Sequence, residues 1–255
     1  MVAQELKSAG FKVYAAARRV DRIADLEKDG ITPVALDLTR DGSIAACVNT
    51  ILSKEKSIDV LVNNAGYGSY GAIEDVPLEE GRRQFEVNLF GMARLIRLVT
   101  PAMREQHYEK IVNISSMGGK IWTKFGGWYH ATKYAVEGLS DCLRMELQPF
   151  GIDVVVVEPG GIKTDWGLIA AENLKKTSTN GAYAEMANKA ADGMIKNYSG
   201  DLLSKPALIA KTVRKAVTKR RPRTRYLVGF GAKPMVWTHR LFGDRVFDWV
   251  LRTFS

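Results

Sequence analysis

The strongest constraint on this chain is the regular alternation of short apolar runs with longer stretches of helical spacing. The runs are Lys12–Ala17, Pro33–Leu36, Ile58–Val62, Lys110–Ile114, Ile152–Val157 and Arg225–Val228, and each reads as a strand. Between them Val20–Lys28, Gly42–Ser53, Leu78–Arg104, Gly127–Gln148 and Lys205–Lys219 place apolar residues at helical intervals. Such alternation requires crossover connections, so the prediction is an α/β fold with a doubly wound parallel sheet covered by helices on both faces. The unbroken run Val154-Val155-Val156-Val157 agrees, because a strand buried on both faces has no polar side to alternate with. With no repeat, low-complexity tract or linker, residues 1–255 read as a single domain.

In open parallel sheets ligands bind beyond the carboxyl ends of the strands. The residues that follow the strands here are Arg18 and Arg19, Asp37 and Leu38, Asn63-Asn64-Ala65-Gly66, Ser115 and Ser116, and Pro159-Gly160-Gly161. Tyr129 and Lys133 stand four residues apart at the start of a helical stretch, which puts them on one face, one turn apart. An ammonium beside a phenol favours the phenolate, drawing a pKa of ordinarily about 10 toward a range useful for proton transfer. That spacing alone recurs by chance in many helices. Ser116, thirteen residues upstream and just after a strand, adds a hydroxyl to the same end of the sheet.

Taken in order, Asn63-Asn64-Ala65-Gly66, Asn88, Ile114-Ser115-Ser116, Tyr129-x-x-x-Lys133 and Pro159-Gly160 followed by Thr164 closely resemble the classical short-chain dehydrogenase/reductase (SDR) family over nearly the whole chain. The resemblance implies a Rossmann-like fold and an oxidoreductase that moves a hydride between NADP(H) and an alcohol or ketone. It implies that Tyr129 is the acid/base and that Ser116 hydrogen-bonds the reacting oxygen, with Ser115 supporting the loop. Lys133 would lower the Tyr129 pKa and hold the nicotinamide ribose, and Asn88 would hold a water linking Lys133 to solvent. On the cofactor side it implies Asn64 along the adenosine, Gly66 permitting close approach of the backbone, Asp37 at the adenine edge, Pro159 and Gly160 as a rigid turn and Ile162 and Thr164 at the nicotinamide carboxamide, with Leu38 and Ala65 also among the cofactor-binding residues. A homodimer or homotetramer built through the two long helices is also implied.

The end of the Lys12–Ala17 strand decides between NADP and NAD. An acidic residue there accepts from ribose hydroxyls, whereas Arg18 and Arg19 suit a 2′-phosphate, so NADP is expected and NAD disfavoured. The chain departs from the family at its beginning. The glycine-rich turn T-G-x-x-x-G-x-G and the strand before it have no counterpart, and Val2–Ala9 reads as the tail of the helix that follows that turn. The expectation is an N-terminally truncated relative whose sheet lacks its first, central strand. The alternative is a catalytically impaired or silent relative acting as a binding or interaction protein.

Composition narrows the rest. No run approaches the length of a membrane span and no leader pattern is present, so the expectation is a soluble, cytoplasmic protein. Of the net charge of +9, +8 falls between Lys211 and Arg225, a segment without acids that reads as a solvated helix end; no motif accompanies it to suggest nucleic acid. Cys47 and Cys142 read as packed thiols, and His107, His130 and His239 lack ligand spacing, so no metal is expected. Residues of about 165–204 read as a substrate lid, whose Trp166, Leu168, Ile169, Tyr183, Met186 and Met194 favour a hydrophobic substrate. Trp122, Phe125 and Trp128 add bulk either to the pocket or to loop packing. A C-terminal extension of about 229–255, rich in Trp, Phe and Arg, reads as packing on the domain or a subunit, with peripheral membrane contact as a second reading.

Overall fold

The computed structural model describes residues 1–106 and 109–253; His107 and the last two residues of the C-terminal extension lie outside the described residues. The strands are β1 (Tyr14–Ala17), β2 (Thr32–Ala35), β3 (Val60–Asn63), β4 (Lys110–Ile114), β5 (Asp153–Pro159) and β6 (Arg225–Val228). The helices are α1 (Val2–Ser8), α2 (Asp41–Glu55), α3 (Leu78–Phe85), α4 (Gly91–Arg104), α5 (Gly127–Leu147), α6 (Trp166–Ser178), α7 (Ala184–Ser199), α8 (Ala207–Thr218) and α9 (Ala232–Thr253). Every ladder is parallel, as the crossover pattern demands.

The ladders form two sheets, β1-β2 and β3-β4-β5-β6. The edges of β1 and β3 are not paired with one another, so the sheet is interrupted where a central strand is expected. Side chains of the larger sheet divide between two cores. Val112, Val155 and Val157 pack with Leu6, Ile209 and Val213 under α1 and α8, while Ile111 and Val154 pack with Ile44, Met92, Ile96 and Val136 under α2, α4 and α5. Residues one apart on a strand point to opposite faces, so a strand covered on both sides must be apolar throughout. Val154 to Val157 are at most 2% exposed.

Three expectations are corrected. The Val20–Lys28 helix is instead a run of tight 3-10 turns over Val20–Asp29 that ends on Gly30 at φ 69. The Leu78–Arg104 helix is continuous but passes through a wide π turn at Glu86–Phe90, with Asn88 at its centre. Cys142 is exposed rather than packed, whereas Cys47 is buried.

The basic segment is only partly a solvated end. Arg214 pairs with Glu5 at 3.0 Å. Arg225, which opens β6, reaches Asp141 at 2.6 Å, Glu137 at 3.1 Å and Glu158 at 3.3 Å. Lys120 completes this corner at 3.0 Å from Glu137, tying α5, β5 and β6 together. Glu137 and Glu158 are both almost fully buried, and burial next to another carboxylate pushes the Glu158 acid upward toward neutrality.

Candidate active site

Tyr129 and Lys133 occupy the first turns of α5 and are both buried, on one face as their spacing requires. The Lys133 Nζ lies 5.9 Å from the centre of the Tyr129 ring and donates to the Ile114 carbonyl at 2.9 Å. Burial pushes the Lys133 ammonium down to about 8. The Tyr129 phenol is pushed up, first by burial, and what draws it down is a hydrogen bond with Ser116. The expectation that Lys133 depresses the phenol is therefore not met in this arrangement, where the dry surroundings dominate and the Ser116 hydrogen bond is what opposes them.

Ser116 leaves β4 in an extended conformation (φ −169, ψ 160) that turns its hydroxyl toward Tyr129. The Oγ accepts from the Gly118 N–H at 3.0 Å and donates to the Pro159 carbonyl at 3.4 Å. Ser115 is buried, and its Oγ makes no hydrogen bond among the described residues. His130 has a supporting place. Its ring bridges the Gly118 carbonyl at 2.9 Å and the Thr123 N–H at 3.0 Å, fastening the Ser116 loop to the helix that carries Tyr129.

Asn88 sits behind this group. Its amide donates to the Tyr67 carbonyl at 2.9 Å and to Thr132 Oγ1 at 3.1 Å, and its Oδ1 accepts from the Tyr67 N–H at 3.1 Å. The π turn presents the side chain to a loop and a helix at once, a common use of such turns. Gly66 lies alongside, where a Cβ would stand 3.2 Å from Asn88 Oδ1 and 3.7 Å from Lys133 Nζ. Its missing side chain keeps the approach to Lys133 open.

A cavity of about 1640 Å³ runs from the space between β1 and β3 to Tyr129. The end between the strands is lined largely by apolar residues, Val2, Leu6, Val13, Ala15, Val60 and Val62, with Lys12, Tyr14, Cys47 and Glu55 nearby. The chemistry is at the other end, where Leu38, Asn64, Ala65, Gly66, Ser116, Tyr129, Lys133, Pro159, Gly160, Ile162 and Thr164 line one wall. Arg18, Arg19 and Asp37 lie outside that wall. Both arginines are exposed beyond the end of β1, and Asp37 Oδ1 accepts from the Thr39 N–H at 3.0 Å and hydroxyl at 2.7 Å, which lowers its pKa together with the charges of Arg18 and Arg40.

The segment expected to be a lid forms α6 and α7. The Trp166 ring lies 4.9 Å from Tyr129, with Tyr70 5.9 Å and Tyr198 6.4 Å from Trp166, so Tyr129 faces an aromatic box. Trp166, Met186 and Met194 line the cavity; Leu168, Ile169 and Tyr183 do not. Tyr70 and Tyr198 were not singled out from sequence. The only signal for Tyr70 is its place in Gly66-Tyr67-Gly68-Ser69-Tyr70, directly after the strand-end motif. Trp122, Phe125 and Trp128 turn out to be packing residues, each in an edge-to-face ring contact: Trp122 with Phe247 of α9, Phe125 with Tyr183 and Trp128 with Phe85.

A buried tyrosine held by a serine, with a lysine one turn behind, thus faces a long cavity at the carboxyl ends of parallel strands, the place where such sheets bind their ligands. The short chain dehydrogenase family profile matches residues 1–174, and the chain belongs to that family. It is 33% identical over 251 residues to a probable short-chain type dehydrogenase/reductase, VdlC, of Helicobacter pylori, covering 97% of this chain and 90% of that one. The structure superposes on a short-chain dehydrogenase from Streptomyces avermitilis with a TM-score of 0.80 and 33% identity, covering 94% and 87% of the two chains. It also resembles a 3-ketoacyl-(acyl-carrier-protein) reductase from Brucella melitensis solved with NADH, with a TM-score of 0.73 and 27% identity over 91% of each chain.

Proposed function

We propose that the protein reduces hydrophobic ketones, or oxidises the corresponding alcohols, with NADP(H), and that Tyr129 is the acid/base. The observation that carries this reading is the Tyr129 hydroxyl itself: buried, hydrogen-bonded to Ser116 and facing Trp166 across the cavity. A phenol pushed up by burial is a protonated donor at neutral pH, which suits reduction. Tyr129 gives its proton to the carbonyl oxygen while the Ser116 hydroxyl donates to the same atom and stabilises the charge developing there. When bound, NADPH would supply the hydride that the carbonyl carbon accepts. Lys133, with an ammonium pushed down to about 8, can hand on a proton near neutral pH and re-protonate the tyrosine through a water held at Asn88.

The cofactor fits the residues present. Asn64, Ala65 and Gly66 form an exposed rim on the cavity, the missing Cβ of Gly66 leaves Lys133 accessible, and the buried amine spends one donor on Ile114. The preference for NADP rests on exposed Arg18 and Arg19 at the end of β1, which suit a 2′-phosphate. The hydrophobic substrate rests on Trp166, Met186 and Met194 over the cavity. The exposed Phe90, Leu98, Tyr134 and Met145 on the π turn, α4 and α5 support self-association through those helices.

The test is oxidation of NADPH by the purified chain across a panel of aliphatic and aromatic ketones. Tyr129→Phe should lower turnover by about 10²- to 10⁴-fold. Equal turnover in that variant would reject the role. NADPH binding without turnover on any carbonyl compound would favour the silent, binding alternative.

A further inference from the structure

We infer that the outer face of α9 docks the protein on an anionic phospholipid bilayer. The inner side of this helix is fastened to the domain. Phe247 is fully buried with its ring 5.4 Å from Trp122, and the Trp122 Nε1 donates to Asp248 at 3.0 Å. The His239 ring spans the Lys120 carbonyl at 3.1 Å and Asp244 at 2.9 Å. Asp248 is thus tied to the domain, while Asp244, bonded to His239 of the same helix, keeps its side chain 77% exposed beside the kink as the one exposed acid among four cations, Lys233, Arg240, Arg245 and Arg252.

The other side presents large apolar groups to solvent, with Trp237 50%, Leu241 66%, Phe242 64% and Trp249 64% exposed. Cations share it. Before the kink at Gly243, Lys233, Trp237, Arg240 and Leu241 follow one another at helical intervals; after it, Arg245, Trp249 and Arg252 do the same. The Arg240 guanidinium lies 5.6 Å from the Trp237 ring. Indole rings among cations suit the headgroup layer, where the rings enter the acyl boundary and the cations meet lipid phosphates.

A second copy is a poor cover for this face, because two-fold pairing would bring the same cations against themselves. Spanning is also excluded for it: among the described residues no helix is long and apolar enough to cross a membrane. The same helix contributes Met235, Val250 and Leu251 to the wall of the cavity that reaches Tyr129. If the apolar-substrate reading above holds, docking places that cavity next to a lipid-dissolved supply; the docking itself does not depend on it.

The experiment is co-sedimentation of the full chain with vesicles of phosphatidylcholine alone and of phosphatidylcholine mixed with phosphatidylglycerol. Binding to the mixed vesicles at low salt, a blue shift of tryptophan emission and release by added salt are expected. Arg240→Gln and Arg245→Gln should each weaken partitioning onto mixed vesicles about fivefold. Phe242→Glu with Trp249→Glu should weaken it more than tenfold on the order expected for losing two buried aromatic groups. Thermal melts establish that these surface variants fold, and NADPH turnover in solution is scored separately so that loss of docking and loss of catalysis are told apart. No sedimentation with mixed vesicles at low salt overturns the inference, as does binding unchanged by Phe242→Glu and Trp249→Glu. A homodimer closed by this face, with no vesicle binding, overturns it as well.

Discussion

Lys133 lies over the Tyr129 ring at 5.9 Å with its ammonium bonded to the Ile114 carbonyl, so a charge is held in a dry site against the face of the ring. Such placement costs stability. A Lys133→Met chain should therefore be inactive yet more stable at pH 7, by about 1 to 3 kcal/mol. The sign follows from the Lys133 pKa, depressed from 10.5 to about 8: between those values the unfolded chain holds a proton the folded chain lacks, so the wild type gains stability as pH rises. The advantage of the variant should shrink between pH 8 and 10.5 in urea titrations. A constant difference would show that the charge is not the cause.

The two adjacent serines separate structure from chemistry. Ser116→Ala should cut turnover by about 10²- to 10³-fold, the loss of one donor to a developing oxyanion. Ser115→Ala removes a buried hydroxyl that makes no hydrogen bond among the described residues, and should leave turnover nearly unchanged with stability equal or slightly higher. Steady-state kinetics on both variants would reverse the assignment if Ser115→Ala were the damaging one.

Cofactor choice is tested at the end of β1. Replacing Arg18 and Arg19 together by alanine should raise the KM for NADP about 10- to 100-fold, the worth of one or two charge-assisted hydrogen bonds, and leave the KM for NAD little changed. Parallel loss with both cofactors would place the arginines elsewhere in the protein's function.

Gly91 opens α4 directly against the chain that follows β2. An added Cβ there would stand 2.5 Å from the Leu38 carbonyl oxygen, a backbone atom that cannot swing away. Gly91→Ala should destabilise by about 1 to 3 kcal/mol, read from the urea midpoint.

Glu158 shares its corner with Glu137, Lys120 and Arg225, and its folded pKa is raised. A raised acid binds a proton in the folded state that the unfolded state has released, so its contribution falls as pH rises from the ordinary glutamate range toward neutrality. Glu158→Gln should gain on the wild type over that interval, because Lys120 and Arg225 keep Glu137. Denaturation midpoints measured below and above it would show no change in the difference if the carboxyl were not the titrating group.

The elements most legible in the sequence were those whose signal is local. β4 and β6 have the bounds their apolar runs predict, and the helix of Tyr129 begins at Gly127 as its pattern indicates. Val154 to Val157 announced a strand buried on both faces because no polar residue interrupts it. What escaped depends on partners remote in sequence. Arg225 reads as one more cation in a basic run, yet two of its carboxylates come from a helix more than eighty residues away and the third from β5. Leu168 and Ile169 have the composition of a lid lining but face away from the cavity, since only one side of α6 meets Tyr129. Tyr70 and Tyr198 close the aromatic box from a loop and from a helix, and no spacing links them.

The π turn at Glu86–Phe90 carries a consequence for the whole helical rod. One extra residue in a turn advances everything after it by about 100° about the axis. Before the turn the rod presents Gly81 to Trp128; after it Met92, Leu95, Ile96 and Val99 enter the core beside α2. The turn therefore acts as a phase converter that lets one rod satisfy two neighbours whose demands are out of step. Removing a single residue there would leave a regular helix by every local measure, and would force a choice between the core and the loop that Asn88 holds.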